Sequence, residues 1–396
     1  MNDEKAVSAL LPAGLKDVLP PDAAFEAHAT ERLMRVFAGY GYERVKPPLL
    51  EFEDTLLAGA GAALAHKTFR LMDPASQRML ALRPDMTMQI ARIASLRLGH
   101  RPRPLRLSYA GQVVRVSGSQ LHAERQFSQV GAEIVGEHRT AADVEIITMA
   151  VEALTALGIT GISIDLGLPT LVAAILENRH IAQSVLVRLA TALDRKDVSE
   201  VKALSPSLGT ETSALLADLL STIGPADAAL KVLHKAPLSP PAARLREDLV
   251  AIVDGLERVN SAFTVTVDCV ESRGFEYHSG VTFTVFARGV IGELGRGGRY
   301  QTDAKENATG FSLFMDSVMR AVPAPPPERR LLLPPGTAAG VARQWRADGW
   351  ITIAGMDDHT APDQESVRLG CSHVLIDGAA RETAINAKRT KPTGDS

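Results

Sequence analysis

Strand patterns on both sides of a long helical segment constrain the fold of this chain more than any other feature. Five segments have the apolar pattern of antiparallel strands: residues 105–109, 112–116, 129–135, 264–270 and 281–287. Between about residues 168 and 258, the chain is instead rich in Ala and Leu with helical periodicity. The pattern predicts an α+β fold in which an antiparallel sheet with flanking helices is interrupted by a helical insertion at about 168–260.

The chain also divides along its length. The run Pro-Ala-Pro-Pro-Pro at 323–327 is the clearest linker, because clustered prolines extend and stiffen a chain. It predicts a main domain over residues 1–322, a linker at 323–330 and a small α/β segment at 331–385. The polar residues 386–396 are predicted to be a disordered tail.

Four local patterns make more specific predictions. Residues 88–98 and 311–319 have the apolar pattern of helices. Thr140 and Asp143 have the spacing of a capping box ahead of another helix. The glycines between 289 and 298 indicate a hairpin turn rather than a phosphate-binding loop, because no Gly-Lys-Ser/Thr ending follows them.

Composition and charge argue against several kinds of protein. A net charge of −3 lacks the positive field of a dedicated nucleic-acid-binding protein. The two cysteines, Cys269 and Cys371, and the ten scattered histidines have no metal-ligand spacing, so no metal is expected. No apolar run reaches the roughly 20 residues of a membrane span, and the polar N-terminus is unlike a signal peptide. We therefore expect a cytoplasmic protein without membrane contact.

Six segments, in the same order along the chain, resemble the core of class II histidyl-tRNA synthetases. They lie at residues 11–20, 39–42 with 47–51, 82–87, 126–133, 273–278, and 297–300 with 310–311. The sequence Arg-Gly-Phe-Glu-Tyr-His at 273–278 is similar to that family's histidine signature, Arg-Gly-Leu-Asp-Tyr-Tyr. The resemblance covers about residues 8–322. It implies a class II synthetase-like α+β fold, followed by a truncated segment like the anticodon-binding domain.

The resemblance also implies a histidine pocket, which is carried over position by position. Asp85, in place of a Glu, and Thr87 would contact the α-ammonium of the ligand. Gln129 and Glu133 match the residues that hold the amino group and the imidazole side. Arg115 matches the arginine beside the carboxylate or, in an adenylate, beside the α-phosphate.

The histidine signature supplies three further candidates: Arg273, Tyr277 and His278, of which His278 replaces a second Tyr. The whole set suits a zwitterion, because carboxylates pair with a cation and an arginine pairs with a carboxylate through its fork of donors. Gln129 and Glu133 are four residues apart, a spacing that puts both on one face of a strand.

The residues that would activate an amino acid are incomplete. In the family's second motif a Glu and another Arg follow the arginine, whereas Ser117 and Gly118 follow Arg115 here. Ser317 stands where the third motif has an ATP-binding arginine. Removing one preorganised donor from the transition state typically costs roughly 10²–10³-fold in rate. We therefore predict that the chain has lost aminoacylation activity.

A chain that keeps the amino-acid pocket but lacks the charged residues that bind ATP resembles the regulatory subunits of ATP phosphoribosyltransferase. Those subunits are non-catalytic paralogues of histidyl-tRNA synthetase. The resemblance implies a sensor of free histidine that mediates feedback inhibition of the first step of histidine biosynthesis. It also implies a short catalytic subunit as partner and a self-dimer within a hetero-octamer, with no tRNA and no cofactor.

Two alternatives remain open at this stage. An active histidyl-tRNA synthetase with unusual motifs would catalyse histidine-dependent exchange between ATP and pyrophosphate. A free-standing amino-acid-binding scaffold would bind its ligand but would form no complex with a short phosphoribosyltransferase subunit.

Overall fold

The structure of the chain is a computed structural model. It describes residues 11–118, 124–177, 179–259, 263–271, 275, 277–356 and 361–383. The chain forms two compact units, Met1–Pro323 and Ala324–Ser396. The tail predicted at 386–396 and the site candidate Arg273 lie outside the described residues.

A mixed nine-stranded sheet is the centre of the first unit. The described strands of this unit are β1 (Glu43–Arg44), β2 (Leu50–Phe52), β3 (Arg70–Met72), β4 (Met79–Leu82), β5 (Leu105–Val114), β6 (Gln126–Val135), β7 (Ile162–Gly167), β8 (Gly224–Pro225), β9 (Thr264–Asp268), β10 (His278–Ala287), β11 (Gly295–Gln301) and β12 (Asn307–Phe314). The large sheet has the order β1-β5-β6-β12-β11-β10-β7-β9-β8, and β2, β4 and β3 form a separate small sheet. Only the pairs β1–β5 and β7–β9 are parallel among these described strands. The predicted α+β class is confirmed.

Helices cover this sheet and fill the segment between β7 and β9. The described α-helices of the first unit are Asp22–Gly39, Glu53–Leu56, Thr87–Arg92, Ala141–Ala156, Leu171–Leu176, Gln183–Asp194, Val198–Ala203, Ser205–Leu208, Thr210–Ser221, Ala226–Lys235, Pro240–Val259 and Met315–Ala321. A 3₁₀-helix spans Gly59–Lys67. Seven of the α-helices lie between β7 and β9, where only the two-residue β8 is extended among the described residues.

The Asp22–Gly39 helix shows how the sequence directs this packing. Its buried residues Ala29, Leu33 and Phe37 recur every four positions and so form one apolar face. The helix packs against β5, β6 and the Ala141–Ala156 helix. The Phe37 ring meets the Phe311 ring of β12 edge-on, with 5.5 Å between centroids. Each fully buried side chain of this size contributes roughly 1.5–3 kcal/mol.

The helix predicted at 311–319 is wrong in its first half. Residues 307–314 form β12, and the helix begins only at Met315. β12 lies between β6 and β11 in the interior of the sheet, and nearly all of its residues are buried. A strand covered on both faces is continuously apolar, so its sequence resembles a buried helix.

The hairpin turn predicted at 289–298 is right only for its first glycines. Gly289 and Gly292 have φ of 81° and 88°, values in the left-handed region. Gly295, Gly297 and Gly298 instead lie in β11. A Cβ at Gly297 would lie 2.2 Å from the carbonyl oxygen of Gly310, so these glycines allow β11 to approach β12 closely.

The capping box predicted at Thr140 and Asp143 is absent. Thr140 precedes the Ala141–Ala156 helix but makes no side-chain cap hydrogen bond. Asp143 is buried and accepts a hydrogen bond from Nε of Arg299 at 3.2 Å. Leaving the buried guanidinium of Arg299 without a carboxylate would cost more free energy than leaving an exposed helix end uncapped. Asp143 therefore pairs with Arg299 and does not take part in a capping box.

Two smaller differences concern element bounds. The strands predicted at 105–109 and 112–116 are one continuous strand, β5. The helix predicted at 88–98 begins at Thr87 as an α-helix and continues as a π-helix over Ile93–Arg97. Both segments have the predicted type of structure.

The second unit contains a four-stranded sheet and two helices in its described part. The strands are β13 (Arg330–Leu333), β14 (Ile351–Ala354), β15 (His373–Ile376) and β16 (Ala379–Glu382), in the order β14-β13-β15-β16. The first three are parallel, and the Ala339–Ala347 and Pro362–Arg368 helices connect them. Across both units, the described helices include none with the length and apolar character of a membrane span.

Candidate functional site

A cavity of about 320 Å³ lies over β6, β12, β11 and β10, which are neighbours in the central sheet. Six of the eight predicted site residues line it: Asp85, Thr87, Arg115, Glu133, Tyr277 and His278. Of the other two, Gln129 lies behind the cavity wall and Arg273 is outside the described residues. The fold thus brings together residues that are up to 193 positions apart in sequence, from 85 to 278.

Glu133 is the most deeply buried acid of the cavity. Its side chain comes from the middle of β6 and is 1% exposed. The hydroxyl of Tyr109 donates to Oε1 at 3.1 Å, and the hydroxyl of Tyr300 donates to Oε2 at 3.1 Å. Burial raises the pKa of Glu133 to about 8, against the opposing hydrogen bond from Tyr109. The charge of Asp85 raises this pKa further.

A glycine opposite Glu133 makes room for its carboxyl group. Gly310 on β12 pairs with Glu133 in the sheet register. A Cβ at this position would lie 1.7 Å from Oε2 of Glu133 and 2.5 Å from the carbonyl oxygen of Ala132. Only glycine therefore fits at position 310 while Glu133 keeps its place.

Gln129 holds the wall of the cavity instead of lining it. Its Nε2 donates to Oδ2 of Asp85 at 2.9 Å and to Oγ of Ser312 at 2.5 Å. Its Oε1 accepts from the backbone N–H of Met86 at 2.9 Å. The other carboxylate oxygen of Asp85 accepts from the backbone N–H of Thr87 at 2.8 Å. These bonds fix the direction of Asp85, so Gln129 is a positioning residue for the neighbouring acid.

Arg115 is the cation that follows β5. Its Nε donates to the carbonyl oxygen of Pro84 at 3.2 Å, which ties it to the segment that carries Asp85. Its guanidinium carbon lies 4.9 Å from the ring centroid of Phe127 and 5.8 Å from that of Phe314. Burial lowers the pKa of Arg115, but an arginine remains charged at neutral pH. It therefore presents a positive charge to the cavity.

Tyr277 and His278 form an aromatic wall. Their rings stack with 4.3 Å between centroids, and the Tyr300 ring meets Tyr277 edge-on at 5.9 Å. Burial lowers the pKa of His278 to about 3, and the charge of Arg296 adds to this effect. His278 is therefore neutral at physiological pH, and this wall can stack with a planar ring.

Sequence reasoning missed several residues of the cavity. Arg296 and Glu293 line it and form an ion pair with each other. They lie within the glycine-rich stretch interpreted as a turn, where charged residues at every third position were the available signal. Ser312 also lines the cavity, from an apolar strand that gave no such signal, and Tyr300 lines it from the resembling segment 297–300 but was not predicted as a site residue.

The cavity presents charges of both signs to one space. Asp85, Glu133 and Glu293 supply carboxyl groups, while Arg115 and Arg296 supply guanidinium groups. A small zwitterion can pair with both kinds of group, and a polar ring can pack on the aromatic wall. The described residues contain no cluster of three or more His, Cys, Asp or Glu side chains suited to hold a metal ion.

Comparison with known proteins identifies the family. The histidyl-tRNA synthetase family model matches residues 14–318. An ATP phosphoribosyltransferase regulatory subunit from Paramagnetospirillum magneticum is 51% identical over 94% of this chain and 97% of its own length. The chain belongs to the ATP phosphoribosyltransferase regulatory subunit family. The sequence-based assignment is thereby confirmed.

Solved structures related to this regulatory subunit family agree with the fold. An ATP phosphoribosyltransferase regulatory subunit/histidyl-tRNA synthetase from Bacillus halodurans is 25% identical, with a TM-score of 0.80. The match covers 92% of this chain and 97% of that one. The ATP phosphoribosyl transferase (HisG:HisZ) complex from Thermotoga maritima has a TM-score of 0.56 at 19% identity. That match covers 73% of this chain and 97% of that one and bears on the fold alone.

This member of the regulatory subunit family has serines and a glycine where the synthetase motifs have charged residues. Ser117 and Gly118 lie exposed at the edge of the cavity. Ser317 is fully buried in the Met315–Ala321 helix, where its Oγ accepts from Nη2 of Arg320 at 2.9 Å. Among the described residues, Ser317 therefore lies behind the residues that line the cavity.

Proposed function

We propose that this chain is the non-catalytic regulatory subunit of an ATP phosphoribosyltransferase and binds free histidine in the cavity. Histidine is the end product of the pathway that this enzyme begins, so its binding provides feedback inhibition. Membership of the regulatory subunit family supports the role. The charge distribution of the cavity supports histidine as the effector.

The proposal depends on one observation: Asp85, Glu133 and Arg115 face the same cavity. Asp85 pairs with the α-ammonium of histidine, Glu133 with the imidazole side and Arg115 with the carboxylate. Hydrogen bonds to charged groups contribute roughly 1.5–3 kcal/mol each. After the cost of association, three such bonds support an affinity on the order of micromolar.

The chain has no aminoacylation activity under this proposal. Amino-acid activation requires cations positioned around the transferring phosphate. Ser117, Gly118 and Ser317 occupy positions where the synthetase motifs supply such charges. Of the cavity cations, Arg296 is paired with Glu293, which leaves Arg115 and Lys67 to face a ligand. ATP would therefore bind weakly and in no fixed geometry.

The partner is a short catalytic phosphoribosyltransferase subunit, within a hetero-octamer in the cytoplasm. Histidine bound to this chain shifts the complex towards an inhibited state. A coupling free energy of 1–3 kcal/mol would change affinity by roughly 5–150-fold. With a net charge of −3, the chain offers no strong field for tRNA, and the second unit is not a tRNA-binding domain under this proposal.

Self-association is also part of the proposal. The small sheet formed by β2, β4 and β3 carries four exposed large apolar side chains: Leu50, Leu71, Met72 and Met79. The strand register places Met72 opposite Met79 on one face of this sheet and puts Leu50 and Leu71 on the other face. We take the face with Met72 and Met79 as the interaction surface, because adjacent exposed apolar groups are typical of one. We assign this surface to a second copy of the chain, because β2 begins inside the segment at 39–42 and 47–51, which resembles the dimer-forming first motif of class II synthetases.

Two assays with the purified chain and a short catalytic subunit test the proposal. Phosphoribosyltransferase activity should become sensitive to histidine only when this chain is present. The chain alone should give no histidine-dependent exchange between ATP and pyrophosphate. Clear exchange would instead favour an active synthetase, and a failure to associate with the catalytic subunit would favour a free-standing scaffold.

A further inference from the structure

The short segment that carries Asp85 and Thr87 into the cavity begins at a buried arginine, Arg83. This arginine directly follows β4 and is 6% exposed. Its backbone N–H donates to the carbonyl oxygen of Leu49 at 3.1 Å, and its own carbonyl oxygen accepts from the backbone N–H of Val114 at 3.1 Å. The start of the segment is therefore tied to the main chain on both sides.

The guanidinium group of Arg83 binds main-chain oxygens from two other segments. Its Nε donates to the carbonyl oxygen of Gln112 in β5 at 2.7 Å, and its Nη1 donates to that of Pro47 at 3.0 Å. Gly111 leaves room for this group, because a Cβ at position 111 would overlap Nη2 of Arg83. The guanidinium group is thus enclosed between β5 and the segment that precedes β2.

A buried acid, Glu51 of β2, belongs to the same network. Nε2 of Gln89 donates to Oε1 of Glu51 at 2.9 Å, and Oε1 of Gln89 accepts from Nη1 of Arg83 at 3.4 Å. Nε of Arg92 donates to Oε2 of Glu51 at 3.0 Å. Both side chains that donate to Glu51 lie on the Thr87–Arg92 helix, so this acid holds the helix at two points.

Burial makes this network costly to rearrange. Arg83 and Gln89 are buried, and the side chain of Glu51 is 8% exposed. Burial lowers the pKa of Arg83, and the charge of Glu51 opposes this shift. A buried charge or amide that loses its partners is strongly destabilised. The segment between Arg83 and the helix therefore has little freedom to move, and Asp85 lies within it.

We propose that Arg83 and Glu51 are positioning residues that set the selectivity of the cavity for the α-ammonium group of its ligand. The inference rests on the proposed histidine site, in which Asp85 pairs with that group. A carboxylate binds an ammonium group best when its position is fixed before the ligand arrives. Arg83 fixes the start of the segment, and Glu51 fixes the helix at its end. Neither side chain belongs to the described lining of the cavity, so both act through Asp85.

Two conservative variants and a matched control test this role. Arg83→Lys keeps the charge but loses the planar fork of donors, and Glu51→Gln keeps the size of the side chain but loses its charge. Arg97→Lys is the control, because Arg97 is the exposed last residue of the Ile93–Arg97 π-helix. Each substitution is also combined with Asp85→Asn, which removes the carboxylate proposed to pair with the ammonium group.

Each full-length variant is titrated by calorimetry with histidine and with imidazole propionate, which is histidine without its α-ammonium group. The wild type should bind histidine more tightly than this analogue by roughly 10–150-fold, the contribution of a hydrogen bond between charged groups. Arg83→Lys and Glu51→Gln should lower this ratio at least about twofold, the least expected within one hydrogen-bond network, and should leave the affinity for the analogue unchanged. In the Asp85→Asn background neither should lower the ratio further. Arg97→Lys should behave like the wild type.

An equal loss of affinity for both ligands, or an unchanged ratio in both variants, would overturn the inference and leave the histidine site intact. A further fall of the ratio in the Asp85→Asn background would also overturn it, because the two residues would then act by another route. A wild-type chain that does not bind histidine would overturn the proposed function, and the inference with it. If Arg83→Lys does not fold, Glu51→Gln still decides between these outcomes, because it alters the other end of the same network.

Discussion

At the scale of single residues, Glu133 is a cavity group whose protonation state is sensitive to pH near neutrality. With its pKa raised to about 8, mainly by burial, its carboxyl group is largely protonated at neutral pH while the cavity is empty. The α-ammonium of histidine is charged at pH 7, unlike most of its imidazole, and brings into the cavity a positive charge that favours the carboxylate form of Glu133. Histidine binding near pH 7 should therefore release a proton from Glu133.

This shift also predicts how stability depends on pH. A folded-state pKa above the unfolded one stabilises the fold at low pH, and the contribution is lost as pH rises towards 8. Between pH 6 and 8, the unfolding free energy of the wild type should fall relative to Glu133→Gln by up to about 1.4 kcal/mol per pH unit. Urea denaturation at several pH values measures this difference. The control Glu257→Gln, at an exposed position, should give a plot of unfolding free energy against pH that is parallel to that of the wild type. A parallel plot for Glu133→Gln would contradict the raised pKa of Glu133.

The motifs predicted which residues belong to the cavity region, but they did not predict what each side chain contacts there. Asp85 and Glu133 line the cavity, and their contact with histidine stays a prediction. Gln129 does not line the cavity, because its amide is fully used by Asp85, Met86 and Ser312. Sequence spacing gives the face of a strand but not which neighbours satisfy a polar group, since those neighbours come from distant parts of the chain.

At the scale of elements, the site depends on the close approach of β6, β12 and β11. Gly310 on β12 leaves the space that the Glu133 carboxyl group occupies, and Gly297 on β11 allows contact with Gly310. Gly297 was visible in the sequence but suggested a turn, because glycine is common in both turns and tightly packed strands. The interior position of β12 could be learned only from the sheet order.

Gly310→Ala should disrupt this arrangement. The new methyl group would overlap Oε2 of Glu133, so the carboxyl group must move or the strands must separate. Overpacking of this kind typically costs about 1–3 kcal/mol, and histidine binding should weaken because Glu133 is displaced. Thermal unfolding and calorimetry measure the two effects. Gly340→Ala is the matched control, since nothing lies within 4 Å of its Cβ position; equal behaviour of the two variants would contradict the account.

At the scale of the whole molecule, the order of six short motifs predicted the family and fold class. A single motif is weak, but the class II core needs all of them in one order to build its sheet. The α+β class and the regulatory subunit family are confirmed. Surfaces were not predictable in the same way, because exposed side chains such as Met72 become a patch only after β3 and β4 pair.

The apolar patch on the small sheet predicts the state of association. Met72→Lys combined with Met79→Lys, a cross-strand pair on one face of the sheet, should convert a dimer of the isolated chain to a monomer, because two charges would be buried at the interface. Analytical ultracentrifugation measures the mass in solution. Val187→Lys, an exposed apolar position in the helical insertion, should leave the dimer intact. A wild-type monomer, or a double variant that stays dimeric, would remove this sheet as the interface.

The most direct test is a calorimetric titration of the purified chain with free histidine near pH 7, in two buffers that differ in ionisation enthalpy. We expect saturable binding on the order of micromolar, with one site per chain and proton release that disappears in Glu133→Gln. A chain that shows no heat of binding with histidine, yet turns over ATP, would contradict the claim that this cavity is a histidine sensor.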